Sequence, residues 1–143
     1  MRDPSEHQEQ QALVRRLRRA GNMVSAIPNG ARVKPRERRW LLDEGMEPGF
    51  PDLLIRTPPR GSSEARERVL VVAVEMKRRH DGKLSEAQDA WIASVAEMPW
   101  WHVVVAHGAR EAAAELEKLG YDLGRAKHVK SKHREDGHEE ACQ

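Results

Sequence analysis

The chain reads as an α/β protein of α+β type, with a mixed sheet in the order αβββαβ followed by a closing helix and a polar tail. Three observations predict this. The run VLVVAVEMK, Val69 to Lys77, holds seven apolar residues in nine, four of them Val, which suits a strand buried on both faces. The turn-rich segment Thr57 to Arg68 joins it to a shorter apolar run ending at Ile55, as a hairpin loop would. A second valine run, Trp100 to Ala106, follows a stretch of helical periodicity.

Each element has its own signal. Ser5 can cap a helix starting at Glu6, with Leu13, Val14 and Leu17 at helical spacing and Gly21 as the stop. Gln10 lies one turn before Leu13 and Val14, and Glu6 one turn before Gln10, so both extend along the core-facing stripe. An acid in a first turn also suits the helix dipole, so a purely structural role for Glu6 stays open. Met23 to Ile27 reads as a short strand ended by the turn residues Pro28 to Gly30. A basic connection follows, with a short helix around Glu37 to Glu44 and a stop at Gly45.

Asp52 follows Pro51 at the mouth of the strand in Gly49 to Ile55, because Pro is tolerated at a strand's first residue but not in a central strand's middle. After Lys77, RRHDGK forms a turn and Ser85 caps a helix from Glu86 to about Glu97. Leu84, Gln88, Trp91, Ile92 and Val95 share one side of that helix, and Gln88 either bonds backbone carbonyls there or faces a site. Pro99 breaks the helix, Trp100 to Ala106 forms the fourth strand, and Ala109 to Leu119 is a helix ended by Gly120.

A length of 143 residues suits one domain, residues 1–122, with a polar tail at 123–143. His128, His133 and His138 in that tail recur every five residues, which does not put three ligands on one helix face. With 34% charged residues against 38% hydrophobic, the core must be compact and the surface heavily charged. Net charge is only +2, yet the basic runs Arg15 to Arg19 and Arg32 to Arg39 contain a single acid, Glu37. They are either solvated faces or contacts to a polyanion. One cysteine, Cys142, excludes an intramolecular disulfide and a Cys-rich zinc site. Neither a signal peptide nor an apolar stretch of membrane length is present, so a cytoplasmic protein with no membrane partner is expected.

Alternation along a strand sends Glu75 and Lys77 to one face and Val74 and Met76 to the other. If the Asp52 and Val69 strands pair as an antiparallel hairpin, Asp52 meets Glu75 and Lys77. Two carboxylates at one point repel unless a cation bridges them, and hard oxygen ligands suit Mg²⁺ or Mn²⁺. A Lys beside the ion can orient a water or steady growing negative charge, a set suited to metal-assisted phosphodiester hydrolysis.

Pro51 and Asp52 followed by Glu75 to Lys77 resemble the PD-(D/E)xK nuclease superfamily. More closely, the chain resembles the small stand-alone VRR-NUC domains of phages and bacteria. The likeness covers about Glu6 to Leu119 and rests on Glu6 and Gln10, IPNG at Ile27 to Gly30, GFPDLLI, VEMK, and LSEAQ at Leu84 to Gln88. It implies a restriction-endonuclease-like fold and a metal-dependent DNA endonuclease, structure-selective for junctions, flaps or other branched DNA. Asp52, Glu75 and the Met76 carbonyl would bind Mg²⁺ or Mn²⁺, Lys77 would position the attacking water, Glu6 would help hold the metal or its water, and Gln88 would support the site. His7 and Glu9 compete with Glu6 for its role. Asn29 would stand near the substrate, with Gln10, Arg32, Lys34 and Arg36 as further substrate contacts. The resemblance also implies homodimers, with Trp40, Trp100 and Trp101 serving either that interface or the core. A catalytically inactive nuclease-fold DNA-binding module is the alternative, and a sequence-specific restriction nuclease ranks lower because no recognition domain is appended.

Overall fold

The computed structural model describes residues 2–28, 33–60 and 68–124. Its elements run α1 (Glu6–Arg19), β1 (Val24–Ala26), α2 (Pro35–Asp43), β2 (Leu53–Ile55), β3 (Val71–Lys77), α3 (Glu86–Val95), β4 (Trp101–His107) and α4 (Ala109–Leu119). The four strands form one mixed sheet in the order β1-β2-β3-β4. The first two pairings are antiparallel and β3 with β4 is parallel, the crossover being made by α3.

Pleating divides β3 between two layers. Val72, Val74 and Met76 join Leu13 and Leu17 of α1 and Leu116 of α4 in the main core. Ala73, on the opposite face, packs with Trp91 and Val95 of α3, supported by Phe50, Leu54, Trp101 and Val103. The sheet thus lies between α1 and α4 on one side and α3 on the other, and Glu75 and Lys77 follow Ala73 to the α3 side. Beyond α4, Tyr121 and Leu123 continue the core, and the Tyr121 hydroxyl donates to the Thr57 carbonyl at 2.6 Å.

Several bounds differ from the sequence expectation for local reasons. The ladder of β3 starts at Val71 rather than Val69, because Leu70 N and Val71 N both donate to the Trp100 carbonyl and Leu70 is left exposed. Helix α2 begins at Pro35, whose fixed φ and missing N–H fit a first helical position. In α1 the buried line is Glu9, Leu13 and Leu17, so the centre of its core stripe passes through Glu9, with Glu6 and Gln10 half-buried beside it. Arg16 is committed to the fold: it donates to the Gly124 carbonyl at 2.6 Å and pairs with Glu117 at 3.2 Å. Arg18 reaches the Val24 carbonyl, so the Arg15 to Arg19 run is in part structural. Trp101 is a packing residue, edge-on to Trp91 with centroids 5.4 Å apart, whereas Trp40 and Trp100 are exposed. Most of the expected tail, from residue 125 on, including its three histidines, lies outside the described residues.

Candidate functional site

Two chain segments and one helix meet at the ends of β2 and β3. Extended two residues past the ladder, the register Leu53 opposite Val74 would set Pro51 against Met76. At a pair of this kind each residue would give its N–H to the other's carbonyl, and Pro51 has none to give. The Met76 carbonyl is therefore left without a ladder donor from β2, while the Met76 N–H is taken by Asp52 Oδ2 at 2.8 Å. Asp52 is held from its other edge as well, its carbonyl accepting from Ile27 N at 2.8 Å. The Pro-Asp pair thus ends the ladder and supplies a carboxylate where the ladder stops.

The segment before Asp52 is clamped onto α3. Gly49 has φ +85°, and a Cβ there would stand 2.2 Å from the Ala87 carbonyl oxygen, so only glycine lets the loop approach. Phe50 packs tilted against Trp91 with centroids 4.8 Å apart, and Pro51 is fully buried. These contacts set Asp52 beside the first turn of α3, where Gln88 stands.

Gln88 closes the arrangement. Its N–H donates to Ser85 Oγ and its Oε1 accepts from Ser85 N at 2.8 Å, completing a capping box. The same Oε1 accepts from Lys77 Nζ at 2.7 Å, and its Nε2 donates to Glu75 Oε1. Lys77 Nζ also pairs with Glu75 Oε1 at 3.1 Å. Glu75 and Lys77 are only 2% and 9% exposed, so this is a buried ion pair cross-braced by one amide. Glu75 Oε2, by contrast, is buried with no hydrogen-bond partner.

Electrostatics mark the pair of acids. Burial, then the neighbouring Asp52 charge, push the Glu75 carboxyl up to about 7 against the lowering effect of Lys77, with the Glu6 charge adding to the rise. Burial likewise lifts Asp52 above the usual carboxylate range, although the Met76 N–H and the Lys77 charge oppose it. Two adjoining carboxyls, both reluctant to ionise, and one orphaned oxygen form a donor set suited to a hard divalent cation.

Glu6 and Gln10 face an open cleft of about 1210 Å³ walled also by His7, Arg78, Arg79 and His80. Among the described residues no three His, Cys, Asp or Glu side chains are grouped so as to hold an ion, although Glu6 stands near enough to Glu75 for its charge to raise that carboxyl. Lys34 and Arg36 lie at the start of α2, outside the network around Gln88. Asn29 and Arg32 fall outside the described residues.

The residue that sequence reasoning misplaced is Glu9. It is 4% exposed, accepts from Arg79 Nε, and takes the Ala109 N–H at 2.9 Å. It ties α1 to the segment leaving β3 and to the first turn of α4, where a carboxylate suits the helix dipole. Its place at i−4 from Leu13 is a signal that could have found it. Arg78, Arg79 and His80 carry only a turn signal in the sequence, though they follow Lys77 directly.

A four-stranded mixed sheet with acids and a lysine at the ends of β2 and β3 defines the restriction-endonuclease-like fold of the PD-(D/E)xK class. A solved structure described as a VRR_NUC domain protein shares this fold, with a TM-score of 0.62 and 19% identity over 84% of this chain and 93% of that one. The family model of the VRR-NUC domain matches residues 4–110, and the chain belongs to that family, a nuclease-type domain. No curated protein matches the chain. Among the described residues no helix is long and apolar enough to cross a membrane.

Proposed function

We propose that the chain is a Mg²⁺- or Mn²⁺-dependent DNA endonuclease selective for branched DNA and acting as a homodimer. The observation that carries the reading is Glu75: its Oε1 is fixed by Lys77 and Gln88 while its Oε2 is buried without a partner beside Asp52. A purely structural carboxylate would have both oxygens satisfied.

Asp52, Glu75 Oε2 and the Met76 carbonyl would hold the ion, which when bound supplies a Lewis acid for the phosphodiester and lowers the pKa of water. Lys77 orients the attacking water with the Nζ that Gln88 and Glu75 position, and its charge steadies the negative charge carried by the phosphoryl oxygens in the transition state. Gln88 holds Lys77 and Glu75 in one geometry through the α3 cap. Attack by water, which gives up a proton to solvent, forms the new P–O bond as the bond to the leaving sugar oxygen breaks, and a solvent proton neutralises that oxygen. The cleft bearing Gln10, Arg78 and His80 accommodates the flanking backbone through phosphate contacts that read no base sequence.

The test is incubation of the purified chain with single-stranded, duplex, flap and four-way DNA and Mn²⁺. Cleavage should be strongest on a branched substrate and abolished in Asp52→Ala and Lys77→Ala. Salt-sensitive binding with no cutting of any substrate would instead assign the chain to a catalytically inactive DNA-binding module.

A further inference from the structure

Helix α2 has no internal reason to be stable. It is nine residues long, none of them buried, and isolated helices shorter than about 12–15 residues are marginal in water. Its charges oppose its own dipole: Lys34, Arg36, Arg38 and Arg39 crowd its start and middle, its last turn has no basic residue, and Asp43 and Glu44 stand at its end. What holds it locally is Pro35 at its first position, Glu37 accepting from Lys34 N at 3.3 Å, and Arg36 over the Trp40 ring at 5.2 Å. Trp40 is 55% exposed, an expensive way to display a large aromatic unless something covers it.

We propose that α2 is the element that recognises unpaired bases, with Trp40 stacking on an unstacked nucleobase and Arg36, Arg38 and Arg39 gripping the adjoining phosphates. This inference rests on the nuclease reading above and names the feature of the substrate that the chain selects. Four cations against the single acid Glu37 over Lys34 to Arg39 fit a polyanion. An exposed indole beside arginines fits a strand whose bases offer a free π-face, because those of a continuous duplex are already stacked. The connection from α2 runs through Gly49, clamped on Ala87, directly into Asp52, so α2 is anchored close in sequence to the site. A base held by Trp40 would therefore select DNA that carries an unpaired region.

The test compares the full-length chain with Trp40→Ala and Trp40→Phe, measuring affinity for a substrate with a single-stranded flap and for a fully paired duplex with Ca²⁺ in place of Mg²⁺. The ratio of the two affinities should fall about tenfold in Trp40→Ala. Trp40→Phe, which keeps a stacking face, should retain most of the ratio, and circular dichroism should show the same melting for all three. An unchanged ratio in Trp40→Ala, or a wild type with no preference for branched DNA, would overturn the inference while leaving metal-dependent cleavage in place. Loss of self-association in Trp40→Ala with the ratio kept would assign α2 to a second copy of the chain and equally overturn it. A wild type that neither binds nor cuts any DNA would bring down the functional reading itself.

Discussion

Replacing Gly49 by Ala should damage stability and activity together, and Gly45→Ala provides the internal control. Both glycines have positive φ, +85° and +103°, so an alanine at either position bears a left-handed backbone costing about 1–2 kcal/mol. At Gly45 a Cβ meets nothing within 4 Å, and the cost should end there. At Gly49 the Cβ would lie 2.2 Å from the Ala87 carbonyl oxygen and 2.8 Å from Gln88 N, both backbone atoms of α3. Ordinary contact begins near 3.4 Å, so loop and helix must separate by roughly 1 Å, an overpacking cost of about 1–3 kcal/mol more. The total is about 2–5 kcal/mol, which thermal melting followed by circular dichroism would resolve easily. The same displacement pulls Asp52 away from Gln88 and Glu75, and a misplacement of about 1 Å is enough for a loss near 100-fold in cleavage rate. If Gly49→Ala melts and cuts like Gly45→Ala, the clamp does not position Asp52 and the reasoning fails.

Two further outcomes follow from the same contacts. Glu9→Ala removes the acceptor of the Ala109 N–H and the partner of Arg79, and should cost about 2–4 kcal/mol in denaturant melts, with Glu9→Gln losing less because an amide oxygen can still accept from Ala109. In metal-free buffer, raising pH should weaken the fold. The Glu75 carboxyl stands at about 7 in the folded chain against an ordinary value of 4.5, so its contribution is fully present below 4.5 and is lost as pH climbs through 7. The loss is on the order of 3 kcal/mol, and saturating Mg²⁺ at pH 8 should restore it; denaturant melts with no fall between pH 5 and 8 would contradict a reluctantly ionised Glu75.

Much of the site was legible because its signals are local. The valine run identifies β3, alternation sends Glu75 and Lys77 to one face, and Pro51 can stand only at the mouth of β2. Ser85 three residues before Gln88 announces a capping box, and a helix one turn beyond β3 must return over the sheet. What stayed hidden depends on partners distant in the chain. Gln88 faces the site, and its backbone partner is the Ser85 N–H rather than a carbonyl, so one amide caps α3 and braces the ion pair at once. Glu9 reads like any first-turn acid until Ala109, a hundred positions away, arrives at its carboxylate. Arg16 looks like part of a phosphate-binding run until the Gly124 carbonyl claims it. The exposure of α2 could not be read from its sequence, because Trp40, Leu41 and Leu42 resemble a core stripe, yet none of them is buried among the described residues.

The most direct measurement is calorimetric titration of the full chain with Mn²⁺, beside an Asp52→Asn, Glu75→Gln double variant shown by circular dichroism to be folded. Saturable binding in the wild type that the double variant loses is the predicted result. Equal uptake by both proteins would mean that the ion, if it acts at all, is held somewhere other than between Asp52 and Glu75.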